Sequence, residues 1–142
     1  MLKALVIGCG RVGSSVALEL RQEGWDVTVV DENEDALSRL GVGWPGTFIV
    51  GHGIDADLLR GAGIEDADAV VVATSGDNTN IIIAQVAQKR FGVRCVVVRV
   101  LDPARAKFYA ERGHDVVCPT SASIDRLMDA ARTCAIPAAA DA

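Results

Sequence analysis

Three glycines near the start of the chain, Gly8, Gly10 and Gly13 in "LVIGCGRVGSSVALEL", have the type and spacing to hold a phosphate. They follow an apolar run and open an amphipathic one, the setting in which Gly-x-Gly-x-x-Gly joins a strand to a helix. The first glycine permits the tight turn, the second admits backbone N–H groups to a pyrophosphate, and the third lets helix and strand pack closely. The positive end of the helix then faces the phosphates. Asp31 ends "DVTVVD", 18 residues after Gly13, where a carboxylate accepts both ribose hydroxyls of an adenosine. That charge repels a 2′-phosphate, which disfavours NADP. The competing reading is a plain glycine turn beside a solvated aspartate; the strand–helix setting favours the cradle.

Other residues fall near this loop. Arg11, inside it, suits a guanidinium folded over phosphates or reaching a phosphate held by a neighbouring subunit; its alternative is a solvated side chain in the first helical turn. Val12 and Glu32 complete the loop and the ribose acid. Cys9 is a small residue that fits a crowded turn. Ligands of open α/β sheets lie at the carboxyl ends of strands, so "GHGID" (51–55) and "ATSGDN" (73–78) belong to the same edge. Gly51, Gly53, Ala73, Thr74 and Ser75 leave room there for adenine and pyrophosphate, with His52 at the adenine end. Arg99, after three valines, is costly to bury without an anion; ligand phosphate and Asp102 are its two candidate partners.

A catalyst does not emerge. His114 reads as a solvated residue of a helix-to-strand connection, and His52 lies far from where a nicotinamide would sit. Tyr109 has Gly113 four positions on, so a Tyr-x-x-x-Lys pair is absent. No nucleophile elbow, metal-ligand cluster or G-x-x-x-x-G-K-[ST] loop appears. The pattern is that of a binder. An NAD-binding half of an oxidoreductase is the alternative, and it requires catalytic groups from elsewhere.

The elements that position these residues alternate. Apolar runs at 2–8, 26–31, 47–51, 68–74, 94–100 and 115–119 read as strands, and their valine-rich, non-alternating character fits burial on both faces. Segments of helical period lie between them, most ending at a glycine. Asp55, Asp77 and Asp102 are placed as helix N-caps, with Pro103 at the first helical position. Strict alternation predicts an α/β fold: a Rossmann-like, doubly wound parallel sheet of strand order 3-2-1-4-5-6, followed by a helix over 121–134.

At 142 residues the chain suits one cored domain, and half of its residues are apolar. No apolar stretch approaches the roughly 18–20 residues of a membrane helix, and the start does not read as a signal peptide. A net charge of −5 without a basic run argues against nucleic acid as a partner and against a DNA-binding repressor. Four dispersed cysteines, with no C-x-x-C spacing, read as reduced thiols of a cytoplasmic protein.

Four stretches carry a resemblance to a known family. They are the glycine loop with arginine at Gly-x-Gly-Arg-x-Gly, "LLRGAGI" at 58–64, T-x-x-D-x-x-N at 74–80 and R-x-x-D-P at 99–103. With the strands around them, over roughly residues 1–134, the chain resembles the N-terminal domain of regulators of K+ conductance, of the Trk/Ktr potassium-uptake type. The resemblance implies a cytoplasmic domain that binds NAD, NADH, ATP or ADP without chemistry. It implies a homodimer and higher rings beneath a membrane K+ translocation subunit, with nucleotide exchange gating transport. Carried over, Gly8, Gly10 and Gly13 hold phosphates, Asp31 holds ribose, and Arg11 reads terminal phosphates at a subunit boundary. Ala73, Thr74 and Ser75 match the family's fourth-strand loop over the ligand. Residues 1–119 correspond to the nucleotide-binding domain. Residues 120–134 correspond to a crossover helix with the stripe Ile124, Leu127, Met128 and Ala131, and 135–142 to a tail or linker. Two departures stand out. Gly51-His52 replaces the family's usual Gly-Asp, and the chain stops before the smaller C-terminal domain of the full-length subunits.

Overall fold

Valine-rich runs of β-branched side chains form six strands in the computed structural model, which describes residues 1–136. They are β1 (Lys3–Ile7), β2 (Asp26–Asp31), β3 (Thr47–Val50), β4 (Ala69–Val72), β5 (Val96–Arg99) and β6 (Asp115–Val117). All pair in parallel in the order β3-β2-β1-β4-β5-β6, the predicted topology. β1 lies between β2 and β4, where the strand order reverses, and open sheets of this kind form their ligand crevice at that point.

Both faces of the sheet are covered, which is why its strands do not alternate apolar with polar residues. α1 (Arg11–Gln22) and a 3₁₀ turn (Glu34–Leu40) bury Ala17, Ala36 and Leu40 against Val6, Val27 and Val29. α2 (Ala56–Gly61), α3 (Asp77–Gln85) and α4 (Pro103–Ala110) bury Leu59, Ile83 and Ala106 with Leu5, Ile7, Val30, Val72 and Val98. Each buried aliphatic side chain contributes about 2 kcal/mol of transfer free energy. The segment 33–41, expected as an ordinary helix, closes as a 3₁₀ turn. It spans Glu34–Leu40, with Asn33 accepting from Asp35 N as its cap. Past Gln85, α3 widens into a π turn over Val86–Arg90.

Two of the three predicted caps form. Asp55 accepts from the N–H groups of Asp57 and Leu58, and Asp102 accepts from Arg105 with Pro103 at the first helical position. Asp77 is not a cap. Gly76 takes the extended cap conformation, and Asp77 becomes the first residue of α3. Its carboxylate turns instead to the backbone leaving β5, accepting from Leu101 N at 2.7 Å and Asp102 N at 2.9 Å.

His114 also departs from expectation. It is half-buried edge-on to Tyr109, and its Nδ1 is enclosed without a hydrogen-bond partner. Burial, with the charge of Lys89 behind it, holds the imidazole below its ordinary range. The folded chain therefore binds this proton less readily than the unfolded chain. The His114 contribution is complete above the unfolded pKa of about 6.5 and is lost as pH falls from there through the lowered folded value. His114→Phe is expected to reduce the slope of unfolding free energy against pH in that window, measured by urea melts; an unchanged slope contradicts this role.

α5 (Pro119–Ala135) starts two residues before the predicted 121, because proline at its first position suits a helix N-terminus. From Ala122 onward it is exposed, and Ile124, Leu127 and Met128 are 50%, 69% and 45% accessible. Of the predicted tail 135–142, residues 137–142 lie outside the described residues. Among the described residues, no helix is long and apolar enough to cross a membrane.

Candidate functional site

The carboxyl ends of the central strands enclose a cavity of about 450 Å³. Most of the predicted site residues line it: Gly8, Gly10, Asp31, Glu32, Gly51, Gly53, Ala73, Thr74, Ser75 and Arg99. Arg11, Val12, Gly13 and His52 do not. Gly76 and Thr79 of the 73–80 stretch also line it, as do Asn33 and Arg39, which nothing in the sequence pattern singled out.

The glycines differ in what they permit. Gly8 has φ of +102°, and a Cβ there would lie 2.5 Å from the Ala73 carbonyl oxygen. Gly13 stands inside α1, where a Cβ would lie 1.7 Å from the Gly8 carbonyl oxygen. Gly10 faces open space. It also caps α1 without a side-chain acceptor, so the first N–H groups of the helix have no side-chain partner.

Cys9 shows how the loop is held. Its N–H donates to Asp31 Oδ2 at 2.7 Å, its Sγ donates to the Ala36 carbonyl at 3.4 Å, and its carbonyl accepts from Arg39 at 3.1 Å. Burial and the nearby Asp31 carboxylate push the thiol pKa up, while Arg39 acts in the opposite direction. The Sγ stays protonated and serves as a packed donor, not a nucleophile. Asp31 Oδ1 meanwhile accepts from Asn33 N at 2.7 Å. Each carboxylate oxygen keeps a second lone pair for a hydroxyl.

Across the cavity, Asn80 is 1% exposed and uses its whole amide. Its Oδ1 accepts from Thr74 N and Thr74 Oγ1, and its Nδ2 donates to the carbonyls of Thr74 and Arg99. Arg99 donates in turn to the carbonyls of Ala73 and Thr74. Asp102, occupied as the α4 cap, is not its partner. Arg99 Nε is buried with no partner, an unmet donor on a cavity-lining side chain. The T-x-x-D-x-x-N and R-x-x-D-P stretches are thus one structure that holds the β4 and β5 ends together.

Two further residues stand at the rim. Arg11 is exposed on the first turn of α1. His52 Nδ1 pairs with Glu32 Oε1 at 2.6 Å, joining the ends of β2 and β3. Among the described residues no group of His, Cys, Asp or Glu is arranged to hold a metal ion.

A glycine loop, a ribose-type acid and a strand-order reversal are shared by many proteins, but the sequence match is narrower. Residues 4–119 match the TrkA-N domain. The chain belongs to the TrkA-N family. The Trk system potassium uptake protein TrkA of Streptomyces coelicolor is 43% identical over 124 residues, covering 87% of this chain and 56% of that protein. Its Mycobacterium tuberculosis counterpart is 32% identical over 133 residues, covering 93% of this chain and 60% of that protein. The chain therefore spans less than two thirds of the length of these TrkA relatives.

Solved structures share the TrkA-N fold. The Shewanella denitrificans Kef CTD in its AMP-bound form has a TM-score of 0.80 at 23% identity, covering 96% of this chain and 83% of that one. GsuK structures bound to ADP and to NAD each have a TM-score of 0.76 at 24% identity. They cover 90% and 91% of this chain, and 33% and 23% of their own.

Proposed function

We propose that this TrkA-N domain binds NAD(H) or ATP/ADP and serves as the nucleotide-sensing part of a potassium transport system. The observation that carries the reading is convergence. Gly8 and Gly10 of the glycine loop and Asp31 line one cavity, and Gly10 caps α1 without a side-chain acceptor. The residues fit such a ligand: Gly10 leaves open space where a phosphate would approach. The N–H groups of α1 would take phosphate, Asp31 the ribose hydroxyls, and Ala73 to Ser75 would close over the ligand. The lining offers hydrogen bonds and charge, from Asp31, Glu32, Arg39 and Arg99. The TrkA potassium uptake relatives support the potassium setting, and the AMP, ADP and NAD bound by the structural neighbours support an adenine nucleotide as the ligand class.

Sensing requires that the nucleotide favour one of two arrangements, since a ligand shifts an equilibrium only by its differential affinity. Residues 1–119 would form the nucleotide body and 120–134 the helix that docks a second copy through Ile124, Leu127, Met128 and Ala131. Arg11, exposed at the loop, would reach a phosphate across that boundary. In the longer protein the homodimer would extend into a ring at the cytoplasmic face of the cell membrane, gating a membrane K+ translocation subunit.

Calorimetric titration of NAD, NADH, ATP and ADP against the chain and against Asp31→Asn tests the reading. Binding of at least one is expected. Asp31→Asn should weaken it by about tenfold or more, because hydrogen bonds to a charged group contribute about 1.5–3 kcal/mol. No binding by any of the four overturns the reading.

A further inference from the structure

The ribose end of the cavity is not the purely acidic surface that Asp31 suggests by itself. Arg39 lines it beside Asp31, Glu32 and Asn33. One terminal nitrogen of Arg39 donates to the Cys9 carbonyl, and no carboxylate among the described residues pairs with the guanidinium. A guanidinium has five N–H donors, so most of this one remains free at the cavity wall. The opposing acids are partly engaged. Asp31 accepts a backbone N–H on each oxygen, and Glu32 is drawn to His52.

We infer that Arg39 is the specificity-determining residue of the ribose end, and that it lets the cavity accept adenine nucleotides carrying a 2′-phosphate. This rests on the nucleotide reading above and refines it. In strand–helix–strand nucleotide folds, an acid at the end of the second strand takes the 2′-hydroxyl, and an arginine near it accommodates a 2′-phosphate. This chain has both. Its arginine is held by the loop itself, so the charge stays at the ribose edge instead of sweeping through solvent. The planar fork is well matched to phosphate oxygens. The acid and the cation therefore oppose each other over the same ribose position, and Arg39 sets the margin between them.

The probes are 5′-AMP and adenosine 2′,5′-bisphosphate, titrated calorimetrically against the chain, Arg39→Gln and Arg39→Lys. Glutamine removes the charge and keeps a polar side chain, and Arg39 is exposed, so folding is preserved. In the unaltered chain the bisphosphate should bind within about tenfold of AMP. Arg39→Gln should weaken the bisphosphate by about tenfold more than AMP, and Arg39→Lys should restore part of that difference. An arginine that only steadied the loop would alter both ligands equally. An unchanged ratio in Arg39→Gln, or a bisphosphate that fails to bind where AMP does, overturns the inference. Failure of both ligands overturns the nucleotide reading together with it.

Discussion

Gly13→Ala is expected to remove nucleotide binding and to lower the melting temperature by roughly 10 °C. The Cβ it adds would sit 1.7 Å from the Gly8 carbonyl oxygen, and the next nearest atom, at 2.8 Å, is also Gly8 backbone. No side chain is in the way that a rotamer change could move aside. The start of α1 must move off β1, and overpacking of this kind costs about 3 kcal/mol or more. Gly8 carries the strained φ of the turn, and it cannot shift freely. Its own Cα faces the Ala73 carbonyl, and its N–H is bonded to the Val30 carbonyl at 2.8 Å. Displacing α1 therefore moves the free N–H groups away from the cavity. Gly10→Ala is the control: its Cβ meets nothing within 4 Å, so it should fold normally and affect binding only by occupying ligand space. Thermal melts and calorimetry on both variants check the pair. A Gly13→Ala protein that melts and binds like the parent contradicts the argument.

Asn80→Ala should destabilise the chain by about 3 kcal/mol and weaken nucleotide binding as well. The amide is buried and holds the β4 loop to the end of β5. Its removal leaves the Thr74 N–H and the Arg99 carbonyl without partners, at about 1–3 kcal/mol for each buried group. The Thr74 carbonyl keeps its bond from Arg99 at 2.9 Å, so the loss is partial. Thr74→Val removes only the hydroxyl and should cost less. Urea unfolding of the two variants orders the effects; equal costs for both contradict the assignment of Asn80 as the central member.

The sheet, the glycine loop and Asp31 were legible in the sequence because each depends on short-range pattern. Valine runs separated by helical segments, and crossovers of one hand, leave few topologies. The spacing from Gly13 to Asp31 follows from one helix and one strand laid end to end. Asp55 and Asp102 were legible for the same reason, since a cap bonds within three residues of itself. Asp77 shows where this fails. Its type and position suit a cap, but the N–H groups of Leu101 and Asp102 compete for its carboxylate, and they arrive from a strand 24 residues away.

Arg39 was missed for a related reason. Read as an ordinary helix, 33–41 has no feature that separates Arg39 from a solvated side chain. The 3₁₀ turn places residues three apart on one face, so Arg39 follows Ala36 toward Cys9. His52 is expected at the adenine end, and its contact with Glu32 comes from the neighbouring strand end.

By itself the amino-acid order determined a doubly wound parallel sheet, the loop that opens it and the acid at its second strand. The tertiary structure alone decided which charges face one another. Arg99 meets carbonyls in place of Asp102, Asp77 holds the backbone leaving β5, His52 turns to Glu32, and Arg39 and Asp31 both hold Cys9 and line one cavity. Backbone periodicity is set by neighbours along the chain. A long polar side chain instead takes whichever partner the folded strands bring within reach, and that partner comes from another segment.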